Sequence, residues 1–281
     1  MEQDAEESEL ATWGSGQQAS SARRRGDTVL RQSGPWSATV IALLRHFESI
    51  GFPGAPWPVG SGFAADGRES VTFLPGSSPH PHEWRDDEAV EGVGRLLRAA
   101  HDAATSFVVP ANAVWRAWFG RSLPGDSPVI GHCDVGPWNV VAENGQPYAL
   151  IDWEFAGPVD AEWELAQAVW LNAQLHDDDT ADRLGLPSAA KRAAQVKLIL
   201  DGYGLSASRR VDFVEKMIAY AVHEAKAEAV AFEVGPESTA AVSPTGYPVL
   251  WAVAWRVRSA SWMLEHRSLL EKAVVLPLPV V

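Results

Sequence analysis

The chain has 281 residues, of which 36 are acidic and 23 are basic, so its formal net charge is −13. That charge argues against nucleic acid as a partner and is compatible with a cationic small-molecule substrate. A single cysteine excludes an internal disulfide, the acidic first residues do not read as a signal peptide, and no apolar stretch has the length of a membrane span. We therefore expect a cytoplasmic enzyme.

The first quarter of the chain predicts a small β-rich region. Residues 13–18 contain two glycines whose spacing favours a flexible loop over a phosphate-binding glycine turn. A Gly-Asp turn then leads into a predicted strand at 28–31, and apolar spacing predicts a helix at 35–50. Residues 60–74 predict a hairpin, whose last residues are apolar.

The most informative stretch is 129–154, which contains three short apolar runs separated by a loop and by an Asn-Gly turn. Because Asn-Gly between apolar runs is a strong hairpin signal, the second and third runs are predicted to fold back on each other. The hairpin brings Asn139, at its beginning, beside Asp152, just past its end. Asp134 lies on the preceding loop.

The remainder of the chain predicts helices. Near the end of the first of them, His101 is expected to make structural hydrogen bonds rather than bind a ligand. His176, Asp177, Asp178 and Asp179 have two interpretations: they line an acidic pocket for a polycation, or they form the first turn of a helix, where carboxylates favour the dipole. Helical spacing is found at 86–104, 162–174, 189–200, 210–232 and 248–273.

The pattern His132-x-Asp134-x-x-x-x-Asn139, followed by apolar-apolar-Asp152, resembles the aminoglycoside phosphotransferase and choline-kinase-like families of protein-kinase-like fold. Trp153-Glu154 stand where a protein kinase has Phe-Gly, which indicates the small-molecule branch. The resemblance implies an α+β, two-lobe fold, with a β-rich nucleotide-binding lobe at 1–75 and a mainly helical lobe at 76–281 that holds the catalytic loop and the substrate-binding part.

The resemblance also implies the cofactors ATP and Mg²⁺ and the roles of several residues. Asp134 would accept the proton of the substrate hydroxyl with His132 beside it, while Asn139 and Asp152 would hold Mg²⁺. The segment Thr72, Phe73 and Leu74 resembles the strand and hinge that receive adenine. Candidate substrate contacts are Glu154, His176, Asp177, Asp178 and Asp179.

One expected residue type is missing from the first lobe. No lysine precedes Lys191, so a lysine cannot hold the nucleotide phosphates there. Arg31, at the end of its predicted strand, occupies the corresponding place, and a guanidinium can bind phosphate through two parallel hydrogen bonds. The run Arg23 to Arg25 competes for this role. Glu48 is the acidic residue that helix 35–50 offers as a partner.

Three functions remain open from the sequence. The first is an ATP-dependent kinase that phosphorylates a hydroxyl of a small molecule, including an aminoglycoside-type antibiotic. The second is a metabolic kinase of choline, a sugar or an amino alcohol. The third is a pseudokinase or immunity-type protein that binds a nucleotide or a toxin without turnover. The oligomeric state is left open.

Overall fold

The polypeptide forms a small sheet-rich N-terminal part and a larger, mainly helical C-terminal part. A computed structural model describes residues 8–9, 22–78, 84, 86–239, 242 and 248–275. The α+β class predicted from the sequence is confirmed. The glycine segment at 13–18 lies outside the described residues, and the division into lobes at residues 75 and 76 remains a prediction.

The N-terminal part is built on an antiparallel sheet with the strand order β1-β2-β3-β5-β4. Gly26 has a φ of +59°, which forms the predicted turn before β3. Pairing of β3 with β5 sets Arg31 opposite Glu69. The strands are β1 (Ser8–Glu9), β2 (Arg23–Arg25), β3 (Thr28–Arg31), β4 (Pro58–Phe63) and β5 (Glu69–Thr72).

Helix α1 (Ser37–Ser49) packs its apolar face into the core and joins this sheet to the residues that follow Asp152. Phe47 is fully buried, and its ring meets the indole of Trp153 edge-on at a centroid distance of 5.0 Å. Edge-to-face aromatic pairs add to the stabilisation that burial provides. The two parts of the chain therefore contact each other directly beside the predicted metal ligand.

Two short antiparallel strand pairs form the front of the C-terminal part. Strand β6 pairs with β9, and β7 pairs with β8 to form the predicted hairpin. The turn between β7 and β8 uses Asn144 at φ +51° and Gly145 at φ +79°, which is the left-handed geometry that a two-residue hairpin turn requires. The strands are β6 (Pro128–Gly131), β7 (Val140–Glu143), β8 (Gln146–Leu150) and β9 (Gly157–Asp160).

The helices of the C-terminal part follow the predicted order with different ends. They are α2 (Asp87–Ala104), α3 (Ala161–Asn172), α4 (Asp178–Leu184), α5 (Ala189–Tyr203), α6 (Phe213–Ala231), α7 (Val249–Glu265) and α8 (Arg267–Val275). Within the described ranges, no helix combines the length and apolar character needed to cross a membrane.

The prediction of one continuous helix at 248–273 is wrong. The helix is interrupted at His266, whose Nδ1 donates a hydrogen bond to the carbonyl of Trp262 at 3.0 Å and whose ring stacks on the Trp262 indole at 4.1 Å. The backbone N–H of His266 donates to the same carbonyl at 2.9 Å, so the side chain and the backbone of His266 both bond Trp262 at the end of α7. The chain therefore turns, and α8 packs on α5 instead of continuing α7.

Helices α2 and α5 cross at very short range because glycine is present at both contact points. A Cβ atom on Gly94 would collide with the carbonyl of Ile199, and one on Gly202 would collide with the carbonyl of Glu91. This close crossing brings His101 of α2 against Tyr203 of α5. The crossing thus fixes the position of a histidine that points toward the catalytic loop.

Candidate active site in the catalytic loop and hairpin

The β7–β8 hairpin places Asn139 and Asp152 as predicted from the sequence. Ile151 donates its backbone N–H to the carbonyl of Asn139 at 2.9 Å, so the residue after the hairpin is held against the residue before it. Asp152 follows at once with a left-handed φ of +65°. Non-glycine residues in this conformation are uncommon and concentrate at functional sites.

Asn139 is bonded directly to Asp134. The Nδ2 amide of Asn139 donates to the Asp134 carbonyl at 2.9 Å and to the Asp134 Oδ2 carboxylate oxygen at 2.8 Å. With its nitrogen used in this way, the amide presents Oδ1 as the atom with which it can bind a metal. The same side chain therefore orients the carboxylate of Asp134 and offers an oxygen ligand.

His132 links the catalytic loop to the hairpin. Its Nε2 donates to the Ile151 carbonyl at 2.7 Å, and its Nδ1 accepts the backbone N–H of Asp134 at 3.2 Å. One ring nitrogen donates and the other accepts, so this arrangement requires the neutral imidazole. Burial lowers the pKa of His132, which favours the same form. Both ring nitrogens of His132 are therefore bonded to backbone groups of the loop and the hairpin, and its catalytic role remains a prediction.

Glu164 of α3 fixes the position of the predicted catalytic loop through a hydrogen bond to its backbone. Its Oε1 accepts the backbone N–H of Cys133 at 2.6 Å, and its Oε2 accepts from His101 Nε2 at 2.7 Å. His101 is in turn bonded to the Tyr203 hydroxyl at 2.8 Å, which confirms its predicted structural role. Burial alone would raise the pKa of Glu164, but the charge and hydrogen bond of His101 outweigh it and hold that pKa below its usual value.

The carboxylate of Asp134 is destabilised in its charged form. Burial raises the pKa of Asp134 to about 7, and the nearby charges of Asp152 and Glu224 act in the same direction. The hydrogen bond from Asn139 only partly opposes this shift. A carboxylate with a pKa near neutrality is well matched to accept a proton from an alcohol during a reaction.

Arg31 reaches from β3 to Asp152, the predicted metal ligand. Its guanidinium pairs with Asp152 and lies 3.7 Å from Glu154, while Arg116 pairs with the other carboxylate oxygen of Glu154. Burial opposes the charge of Arg31, but Asp152, Glu69 and Glu154 raise its pKa. Glu48, by contrast, pairs with Arg45, so the arginine of the N-terminal sheet finds its acidic partners in the C-terminal part.

Asp152 and Asn139 suit a divalent cation. Both offer hard oxygen ligands, and the Arg31 guanidinium on Asp152 is a cation already bound where a metal would be. In the part of the chain that the structure describes, no group of three or more His, Cys, Asp and Glu side chains could hold a metal. An ion bound here would therefore take further ligands from water or from nucleotide phosphates.

The predicted adenine-binding segment lies at the junction of the two parts. Thr72 ends β5, where its hydroxyl accepts the Trp57 N–H at 2.9 Å, and Phe73 donates its N–H to the Asp27 carbonyl at 2.8 Å. The Arg24 guanidinium stacks 3.6 Å above the Phe73 ring. Leu74 is half-buried in the connection to the C-terminal part. Contact of these three residues with adenine remains a prediction.

The acidic run after α3 has a structural role. Asp177 caps α4 by accepting from Thr180, and Arg258 pairs with both Asp177 and Asp179. Asp178 accepts the indole N–H of Trp262 at 2.8 Å. The backbone carbonyl of His176 accepts a hydrogen bond from the Arg192 guanidinium at 2.6 Å. His176, Asp177, Asp178 and Asp179 do not line the cavity beside Asp134, and their contact with a substrate remains a prediction.

A cavity of about 620 Å³ opens beside Asp134, and its walls come from residues that the sequence did not single out. Trp118 and Phe119 form one wall, and the C-terminal half of α6, including Glu224, forms another. The sequence offered one signal: Glu224 and Glu228 lie four residues apart, so they share a face of a helix. No pattern in the sequence indicated that Trp118 and Phe119 would form the facing wall.

Comparison with known proteins identifies the family. The trifolitoxin immunity protein of Rhizobium leguminosarum bv. trifolii is 55% identical over 251 residues, which cover 89% of this chain and 94% of that protein. A model of the phosphotransferase enzyme family matches residues 108–195, the stretch that holds Asp134, Asn139 and Asp152. The chain belongs to the same family as the trifolitoxin immunity protein. The resemblance stated from the sequence motif is confirmed.

Solved structures show the same fold. A choline/ethanolamine kinase family protein from Mesorhizobium loti aligns with a TM-score of 0.60 at 14% identity, covering 93% of this chain and 91% of that chain. Amicoumacin kinase in complex with AMP-PNP, Ca²⁺ and its ligand aligns with a TM-score of 0.60 at 12% identity, covering 91% and 88%. The predicted protein-kinase-like fold is thereby confirmed.

The buried bonds of Glu164 generate a stability prediction. In Glu164→Gln, the amide can accept only through one oxygen, so either Cys133 N–H or His101 loses its acceptor. We expect the free energy of unfolding at pH 7 to fall by about 1–3 kcal/mol in urea titrations. The matched control Glu91→Gln, which removes a half-exposed partner of Arg95, should change it by less than about 0.5 kcal/mol.

The same variant has a defined dependence on pH. Because the folded-state pKa of Glu164 is lowered from 4.5, the ionised carboxylate contributes its full stability above pH 4.5 and loses it as the pH falls toward the folded-state value. The difference between wild type and Glu164→Gln should therefore shrink below pH 4.5. A difference that stayed constant through that range would contradict the assignment.

Proposed function

We propose that the protein is an ATP-dependent phosphotransferase that phosphorylates a hydroxyl group of a small molecule and inactivates it as a toxin or an antibiotic. The observation that carries the proposal is the position of Asp134. Its carboxylate is bonded by Asn139, lies near Asp152, and borders a cavity large enough for a small molecule. A base between a metal-ligand pair and an acceptor cavity is what phosphoryl transfer to an alcohol requires.

In the proposed reaction, Asp134 accepts the proton of the acceptor hydroxyl as the hydroxyl oxygen forms a bond to the γ-phosphorus of ATP. The bond between that phosphorus and the β,γ-bridging oxygen breaks, and ADP leaves with the electron pair. Asn139 and Asp152 would hold Mg²⁺, which would neutralise charge on the phosphates when bound. His132 holds the Asp134 backbone and the Ile151 carbonyl, so that the base and the metal ligands keep a fixed separation.

Arg31 has a second part in this proposal. In the absence of nucleotide its guanidinium neutralises Asp152, which otherwise would be an uncompensated carboxylate. Were a bound metal to neutralise Asp152 instead, Arg31 would be available to the nucleotide phosphates, which it can hold through parallel hydrogen bonds. The relative solved with AMP-PNP supports a nucleotide as the ligand of this fold.

The name of the 55%-identical relative, an immunity protein, supports a protective role and bears on two candidates. Protection follows from phosphorylation of a toxin, and it also follows from binding a toxin without turnover. The second candidate is favoured by the missing lysine. We prefer phosphorylation because Asp134, Asn139 and Asp152 are all in place, and mere sequestration of a toxin has no use for this set. A metabolic kinase of choline, a sugar or an amino alcohol rests only on a fold shared at 14% identity.

Asp134→Asn separates catalysis from binding. The substitution keeps the shape and the oxygen that accepts from Asn139 but removes the base, so we expect ATP affinity to stay within about twofold and turnover to fall by about 100-fold or more. Turnover is measured as ADP release with kanamycin, choline and trifolitoxin as acceptors. Asp178→Asn removes the same charge outside the cavity and should leave turnover unchanged. Near-normal turnover in Asp134→Asn would remove Asp134 from the catalytic role.

Arg31→Ala distinguishes phosphate binding from a general defect. We expect ATP to bind about 10- to 150-fold more weakly, which corresponds to about 1.5–3 kcal/mol for a charged hydrogen bond, and adenosine to bind unchanged. Isothermal titration calorimetry gives both affinities. Arg31→Lys should retain part of the affinity if charge alone matters and lose most of it if the two-pronged geometry matters. Equal weakening of ATP and adenosine would indicate misfolding, and no effect would transfer the role to Arg23–Arg25.

A further inference from the structure

The lining of the cavity beside Asp134 bears on whether its ligand carries a positive charge. Apart from Asp134, its described lining contains two acidic residues, Glu224 and Glu228, and two basic residues, Lys226 and Arg256. The rest is apolar or uncharged. The excess of acidic residues that gives the whole chain its net charge of −13 is therefore not found among these four charged residues.

The two acidic side chains of the wall are already engaged by one arginine. Arg256 of α7 donates from Nε to Glu224 at 2.9 Å and lies 3.6 Å from Glu228. Arg256 is 4% exposed and Glu224 is 9% exposed, so water screens this pair only weakly. A cationic ligand that bound these carboxylates would compete with Arg256 for them, and an Arg256 that lost them would remain buried without a counter-charge.

The aromatic walls are likewise engaged by cations of the protein. Arg116 lies 4.2 Å from the centroid of the Phe155 ring, and Arg121 lies 5.8 Å from that of Trp118. Cation–π attraction is the usual way in which an aromatic pocket selects an ammonium group. Here the guanidinium groups of Arg116 and Arg121 already make this interaction with the Phe155 and Trp118 rings. What the rings still offer a ligand is apolar contact area.

We infer that the acceptor bound beside Asp134 is an uncharged, hydroxyl-bearing molecule with an aromatic or aliphatic part, and not a polycation such as an aminoglycoside. This inference rests on the proposed function, because it takes the cavity as the acceptor site. The apolar part of the acceptor packs against Trp118, Phe119 and Phe155, and its hydroxyl reaches Asp134. The Arg256 pair sets the specificity of the cavity by neutralising the carboxylates of α6.

The test measures the electrostatic potential and the apolar character of the cavity without ATP. Ala227→Cys, in the full chain, puts a thiol on the α6 wall. Its reaction rates with cationic, anionic, neutral methyl and neutral benzyl methanethiosulfonates are divided by the rates with free mercaptoethanol. Wild-type protein gives the background, which should be low because Cys133 is buried and burial raises the pKa of its thiol well above the usual value.

We expect the cation-to-anion rate ratio to lie within about threefold of unity, since the two acidic and two basic residues of the lining other than Asp134 cancel, which leaves at most the single charge of Asp134. Arg256→Met, added to Ala227→Cys, should raise the ratio about tenfold by freeing the two carboxylates. The matched control Arg258→Met removes the same charge from the same helix, but its partners are Asp177 and Asp179, so the ratio should stay within about threefold of its starting value. The benzyl reagent should react at least about fivefold faster than the methyl reagent, and Trp118→Ala should reduce that preference.

A wild-type ratio above about ten, or protection of the thiol by millimolar kanamycin, would overturn the inference and restore a polycation as the ligand. Equal rates for the benzyl and methyl reagents would overturn its apolar part. These outcomes do not depend on Arg256→Met folding, because they are read from Ala227→Cys alone. They also do not depend on turnover. If the protein lacks the proposed kinase activity, the labelling ratios are unchanged. If the cavity is acidic, Mg²⁺-dependent ATP binding is unchanged.

Discussion

The arrangement of the candidate active site depends on the hydrogen bonds that the buried carboxylate of Glu164 accepts. This carboxylate joins three parts of the chain: the backbone of Cys133 in the catalytic loop, His101 at the end of α2, and, through His101, Tyr203 at the end of α5. Cys133 has a left-handed φ of +67°, a costly conformation for a non-glycine residue. The hydrogen bond to Glu164 compensates for this cost and turns the loop so that Asp134 faces the cavity. Gly131 supplies the room, because a Cβ atom there would collide with Glu164 Oε2.

A second set of charges connects the N-terminal sheet to this loop. In place of a lysine and a glutamate of the same lobe, the chain uses Arg31 on β3 with Asp152 and Glu154 on the other side of the junction. Arg116 balances Glu154. Each carboxylate is partly desolvated, and a buried charge without a partner is costly. The relative position of sheet and hairpin is therefore coupled to the charge on Asp152, which a bound metal would change.

Local features were predictable from the sequence, and long-range partners were not. The Asn-Gly turn and its flanking apolar runs specify the β7–β8 hairpin within a few residues, so the approach of Asn139 to Asp152 followed directly. Glu164 and His101 are 63 positions apart, and no pattern in either segment specifies the pair. The acidic run at 177–179 has the same composition whether it is solvated, lines a pocket or pairs with Arg258, which lies about 80 positions further along the chain. Only the packing of α4 against α7 decides among these.

We propose that Asn139 and Asp152 hold a metal-bound nucleotide next to Asp134. This assignment is tested most directly by thermal stabilisation by ATP, with and without Mg²⁺, in wild type and in Asp152→Ala. A ligand at 100 times its Kd stabilises the protein by about 2.7 kcal/mol, a shift that is readily measured. We expect a Mg²⁺-dependent increase in Tm for wild type. In Asp152→Ala that increase should be absent, while the Mg²⁺-independent part, in which the released Arg31 binds phosphate, should remain. An equal Mg²⁺-dependent increase in both proteins would contradict the assignment of the hairpin as the metal site.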